Sequence, residues 1–258
     1  MAWQTPLFKV AVFSLTLSLE LAIAAGFASP ARSSALDFSP PDRGAPETAV
    51  GGATRGNGLC GEVKPLVPKD TSQNSEPFPY FGITIADRPT LFFHVKGSPR
   101  YVGQPTYFAL NEITTQGERG ELVYEADLSL PERGGVMSVS LPPTLTLEEG
   151  KSYEWFMEMS CIDNEEASEM NHIQGWLDRI SATPGLSDRL DIAQTPTDRA
   201  TVYAEAGIWF DALETLARER RVENTPELQA AWASLLGDSD VGLNDEDLEQ
   251  VVEASWVD

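Results

Sequence analysis

Residues 150–161 read GKSYEWFMEMSC. Tyr153, Trp155, Met157, Met159 and Cys161 occupy alternate positions, with Glu154, Glu158 and Ser160 between them. A period of two is that of a strand with one face buried, so the odd-numbered row predicts a core-facing side and the glutamates a solvent-facing one. The run ends in one of only two cysteines, and Cys161 belongs to the core-facing row.

Working outward, the same period recurs between about Leu59 and Ile180. Leu91 to Val95 form a mostly apolar run of the buried-strand type, and Phe108 and Leu110 alternate in TYFALNEI. Leu122, Tyr124, Ala126 and Leu128 share one face, with Glu125, Asp127 and Ser129 on the other. Met137, Val139 and Leu141 alternate with serines. Turn residues separate these runs at intervals of roughly 10 to 15 residues, which predicts an immunoglobulin-like antiparallel β-sandwich over residues 59–181.

After SATPG (Ser181 to Gly185) the period becomes helical. Trp209, Ala212, Leu213, Leu216 and Ala217 fall on one helical stripe, and Leu228, Ala231, Trp232, Leu235 and Leu236 on another. Gly207 marks a break, Thr225 and Pro226 an N-cap and first helical position, and Gly237 a stop. Residues 182–237 are thus a small α-helical subdomain. Residues 238–258 are an acidic tail with eight carboxylates, no Lys or Arg, and one short helix capped by Asn244. Such a tail is a solvated segment able to meet a basic partner, with Trp256 either an exposed anchor or tucked onto the helices.

The first 28 residues have a different character. Lys9 precedes the apolar run Val10 to Leu19, and small residues Gly26 and Ala28 follow, with Ser33 and Ala35 offering a second cut. This pattern predicts a secretory signal peptide over residues 1–28. An uncleaved anchor is the competing reading, and Glu20 would cost it about 2.5 to 3.5 kcal/mol. Residues 29–58, rich in Pro, Gly, Ser and Ala, read as a flexible linker. Export places Cys60 and Cys161 in an oxidising compartment, where pairing is the expectation and two buried thiols the alternative. The bond would close a loop of about 100 residues, for which chain entropy alone gives an upper figure of roughly 4.7 kcal/mol.

The 258 residues, 41% of them hydrophobic, can build a core. Forty Asp and Glu against 18 Lys and Arg give a net charge of −22, which argues against nucleic acid and, once the signal is cleaved, against an anionic membrane surface.

Six segments, TRGNGLCGEVKPLVP, ITIADRPTLFFHV, LVYEADLSLPERGGVMSVSLP, LEEGKSYEWFMEMSC, IQGWLDRI and YAEAGIWFDALETLA, together resemble a cyanobacterial exported family known as domain of unknown function 928. The resemblance runs from about Thr54 to Leu236. It implies an extracytoplasmic β-rich domain followed by helices, with no established activity and no catalytic residues. His94 and His172 look incidental to that pattern. YAEAGIWFDALETLA also looks like part of a tetratricopeptide helix pair, but one unit lacks the neighbours that about three repeats supply, so helices packed on the sandwich are the better reading.

The chemistry the residues offer is limited. No P-loop, dinucleotide fingerprint or Gly-x-Ser-x-Gly occurs, and the two histidines, His94 and His172, read as packed or edge residues. Among cofactors, calcium is the one the acids suit: Asp163, Asn164, Glu165, Glu166 and Glu169 crowd one strand connection, with a solvated acidic turn as the plain reading. Asp238, Asp240 and Glu249 take three EF-hand places, but Gly242 and Leu243 break the pattern, and helix capping explains the same residues. The expectation is a non-catalytic interaction module of the cell envelope, periplasmic or at the cell surface, with an envelope or surface protein as partner. The alternatives are a polysaccharide hydrolase using carboxylates on sandwich loops and a calcium-dependent binder.

Overall fold

The computed structural model describes Met1 and residues 36–45, 63–71, 79–97, 104–164 and 167–257, the side chains of residues 161–169 and 257 excepted. The chain divides into two units, Met1–Arg32 and Ser33–Asp258. Among the described residues, every strand and helix belongs to the second unit.

Its strands are β1 (Val63–Pro65), β2 (Tyr80–Thr84), β3 (Thr90–Lys96), β4 (Thr106–Ile113), β5 (Arg119–Leu128), β6 (Gly134–Ser140), β7 (Ser152–Asn164), β8 (Ala167–Arg179) and β9 (Trp256–Val257). Between β8 and β9 come helices α1 (Pro184–Ile192), α2 (Pro196–Glu205), α3 (Trp209–Val222), α4 (Pro226–Leu236) and α5 (Asp245–Glu253). Two sheets form, in the orders β1-β3-β6-β9 and β2-β8-β7-β4-β5. The fold is a β-sandwich followed by a small helical region. Its pairings are antiparallel except at two edges, where β2 runs parallel to β8 and β9 parallel to β6.

The alternating row that predicts the sandwich lies at its centre. Tyr153, Trp155, Met157 and Met159 are each no more than 2% exposed, on the middle strand of the larger sheet. Trp155 meets Phe93 of the facing sheet at 5.6 Å between ring centroids, and Phe108 reaches the same ring at 6.4 Å. Beside Trp155 lies Gly175, its register partner on β8. A Cβ at Gly175 would stand 2.3 Å from the indole, so this position has room for glycine alone. Glu154 does point outward, but it is 7% exposed because Arg119 covers it with a 2.5 Å ion pair.

One strand departs from the simple alternation. Leu110 pairs with Tyr124, but the next residue, Asn111, pairs with Leu122, so β5 carries an extra residue there. A one-residue bulge reverses the parity of everything beyond it, and Leu122 is carried to the outer face, 45% exposed.

Each predicted helix start is capped as its residues suggest: Thr225 accepts from the amide of Leu228 ahead of Pro226, and Asn244 from that of Asp247. Helix α3 binds the sandwich through its first turn. Trp209 donates its indole N–H to the Leu66 carbonyl at 2.9 Å. Asp211, buried, accepts from the Thr84 hydroxyl at 2.7 Å and the Ile85 amide at 3.2 Å. Burial pushes its carboxyl up to about 6, with the nearby Glu214 adding to the rise and the Thr84 and Ile85 donors opposing it.

Two readings of flexible or solvated chain are corrected. Within the stretch read as a linker, Leu36 and Phe38 are buried, Phe38 against Trp209 at 4.9 Å, and the Ser39 amide donates to Ala204 at 3.1 Å. Few apolar residues suffice here because three helices supply the partners, with the Ser234 hydroxyl of α4 also donating to the Leu36 carbonyl at 3.2 Å. The acidic tail is likewise held: Val241 and Val251 are buried, Asp247 pairs with Lys64, and Trp256 packs on Trp232 at 5.5 Å.

Replacing Gly175 by alanine is expected to destabilise the protein by about 2 kcal/mol in denaturant unfolding, whereas Gly185→Ala, with nothing within 4 Å, stays within about 0.5 kcal/mol of the parent. For Asp211 the folded state holds the proton more tightly than the ordinary value of 3.8. Its contribution is therefore fully present below pH 4 and is lost as the pH rises to about 6. The stability of the parent relative to Asp211→Asn is expected to fall across that window by on the order of 3 kcal/mol. A difference that stays flat between pH 4 and 7 would remove this account.

Candidate functional site

Strand β3 is buried on both sides. Leu91, Phe93 and Val95 take the face toward the larger sheet, while Phe92, His94 and Lys96 take the other. That outer face is covered by Trp256 of β9 and by α5: Phe92 meets Trp256, Lys64 opposite His94 pairs with Asp247, and Lys96 stands 3.9 Å from Glu246. Where α5 ends, the cover stops short of the sheet end and leaves an open cleft of about 730 Å³.

Three separate segments build its walls. The end of β3 supplies His94 in the lining and Lys96 beside it. The β5–β6 connection supplies Glu132 and Arg133, both exposed. The far side is the last turn of α5 with Gln250 and Glu253, followed by Ala254 and Ser255. The connection is pressed onto β3 at Gly134, which has φ of 73° and whose added Cβ would fall 2.5 Å from the Val95 carbonyl and the Gly97 amide. A left-handed backbone and this contact both demand glycine. The Gly134 amide closes the turn on Pro131 at 3.1 Å, which holds Glu132 and Arg133 at the rim.

The cleft offers an ammonium, a guanidinium, two carboxylates and a side-chain amide, together with the carbonyl end of a helix. His94 is 5% exposed, a packed residue as its sequence context predicts. The lining thus carries groups of both charges from three segments of the chain. The signal for this site was absent from local sequence, because its residues come from positions near 95, 132 and 253 and carry no spacing motif.

The acids singled out from sequence fall elsewhere. Asp163 and Asn164 end β7 and Glu169 lies on β8, where its register partner is Cys161. Glu165 and Glu166, the side chains of the other three, and Cys60 lie outside the described residues. At the second candidate, Asp238 accepts from the Asp240 amide at 2.9 Å and Asn244 caps α5. Among the described residues no group of three or more His, Cys, Asp or Glu is placed to hold a metal ion. His172 stacks on Phe156 at 5.6 Å and lies 2.9 Å from Gln174, on the outer face of the larger sheet. No described helix is long and apolar enough to cross a membrane.

No curated protein matches the chain. Among solved structures, the PmoD soluble domain from Methylocystis sp. ATCC 49242 (Rockwell) is similar at 12% identity over 50% of this chain and 98% of that one, with a TM-score of 0.29, too low to carry an argument about function. A family model matches residues 50–251, a span that takes in both sheets as far as β8, all the intervening helices and most of α5, and the chain therefore belongs to the family described as Domain of Unknown Function (DUF928).

Proposed function

We propose that the protein is a non-catalytic, extracytoplasmic interaction module that holds a protein partner of the cell envelope at the cleft between β3, the β5–β6 connection and the end of α5. The observation that carries this reading is the cleft itself, whose lining brings together Lys96 of β3, Glu132 and Arg133 of the β5–β6 connection, and Gln250 and Glu253 of α5. Charges of both signs on a fixed frame favour one partner in one orientation, more than they favour raw affinity. In this reading residues 1–28 direct export, and Cys60 and Cys161 are then joined.

A photo-crosslinking amino acid at Glu132 in the full chain is expected to give a discrete adduct in the envelope, and the same group at Glu118, away from the cleft, none. Reversing Lys96 and Arg133 together to glutamate is expected to reduce that adduct at least tenfold. Mass spectrometry of the native protein without reduction is expected to find a start near Ser29 or Leu36 and linked cysteines. Equal adducts at both positions would remove the cleft from the reading, and release of reducing ends from envelope polysaccharide by the purified protein would replace it with a hydrolase.

A further inference from the structure

The far side of the cleft continues into β9, and β9 is an unusual strand. It has two residues and runs parallel to β6, pairing Val136 with Trp256 and Met137 with Val257. The Val136 amide donates to the Ser255 carbonyl at 3.0 Å. β6 itself extends from Gly134 to Ser140, so beyond Met137 its edge has no strand partner among the described residues.

One side chain anchors the segment. Trp256 sits edge-on to Trp232 at 5.5 Å and to Phe92 at 6.0 Å, and the guanidinium of Arg221 lies over its ring at 4.7 Å, with that of Arg220 at 6.0 Å. Three side chains from α3 and α4 form the slot. Arg220 is fixed to the Val252 carbonyl at 2.9 Å and to Asn224 at 3.1 Å, Arg221 reaches Ser138 at 3.0 Å, and Trp232 is fully buried. Two arginines around an aromatic slot, in a chain of net charge −22, complement an acidic strand carrying an aromatic residue. The tail that fills it has that composition.

We propose that β9 is a built-in competitor on a strand-docking site: the β6 edge accepts, in parallel, an extended acidic segment of a partner protein with an aromatic side chain in the Trp256 slot, once this chain's own tail has left. This is strand addition to an open sheet edge, in which backbone pairing supplies affinity and one pocket supplies specificity. A tethered tail holds the site at an effective concentration in the range of mM for a short linker, so the partner binds only when it exceeds that competition or meets a released tail. The proposal rests on the interaction-module reading for its biological use, and the exchange is measurable without it.

The probe is a fluorescent peptide copying residues 251–258, VVEASWVD, titrated by anisotropy into the full chain. The Trp256→Ala protein, its own tail unanchored, is expected to bind it at least tenfold more tightly than the parent does, and a peptide with alanine in place of tryptophan is expected to bind neither. Arg221→Glu added to Trp256→Ala is expected to weaken binding again by at least tenfold. Equal affinity of parent and variant, or no binding to a variant that circular dichroism shows to be folded, would overturn the proposal. Should the variant not fold, hydrogen exchange in the parent decides: the Val136 amide is expected to exchange at least a hundredfold faster than the Val95 amide, and equal protection of the two would overturn it. Failure of the peptide with the Glu132 adduct intact removes this docking mode and leaves the module reading in place.

Discussion

The burial of β3 on both faces is the constraint on which the remaining architecture depends. A strand in a two-layer sandwich normally shows one face to water. Here Phe93 closes against Trp155 and Phe108 on one side, while Phe92 and His94 require cover on the other. Trp256 of β9 and helix α5 supply that cover, and the sandwich and the helical region share one core. Leaving Phe92 uncovered would forfeit on the order of 2 kcal/mol of burial for that side chain alone.

Polar contacts fix how the layers meet. Asp211 fastens α3 to the end of β2, Trp209 fastens it to Leu66, and Lys64 holds α5 through Asp247. Cations are few in this chain, 18 against 40 acids, and several of them join distant elements: Arg43 to Asp178, Arg119 to Glu154 and Lys151 to Glu112. The acidic excess therefore lies mainly on the surface, while Arg220 and Arg221 are drawn around Trp256. The cleft rim and the β6 edge are neighbours, because the segment from Glu253 to Ser255 that walls one leads into the strand on the other.

Some of this was legible in the amino-acid order and some was not. The odd-numbered row from Tyr153 to Met159 and the caps at Thr225 and Asn244 are local patterns, decided by a period of two or by a side chain reaching three residues along. Leu122 escaped because a bulge depends on how β4 and β5 pair, which neither strand records alone. Phe38 lies in the stretch that reads as a linker, and Trp256 reads equally as an exposed anchor or as tucked onto the helices; each is placed by rings supplied from elsewhere, Trp209 for one and Trp232 and Phe92 for the other.

By itself, then, the sequence determined the strand run with its buried row, the turn to helices after Pro184, the helix caps, the acidic balance and the family likeness, all of them properties of residues close along the chain or summed over it. Only the tertiary structure decided that the tail returns to the sheet, that residues 36–45 join the core, and that Lys96, Arg133 and Glu253 face a single cleft. Those outcomes are set by which hydrophobic surfaces remain to be covered once the sandwich has closed, and that remainder exists only in three dimensions.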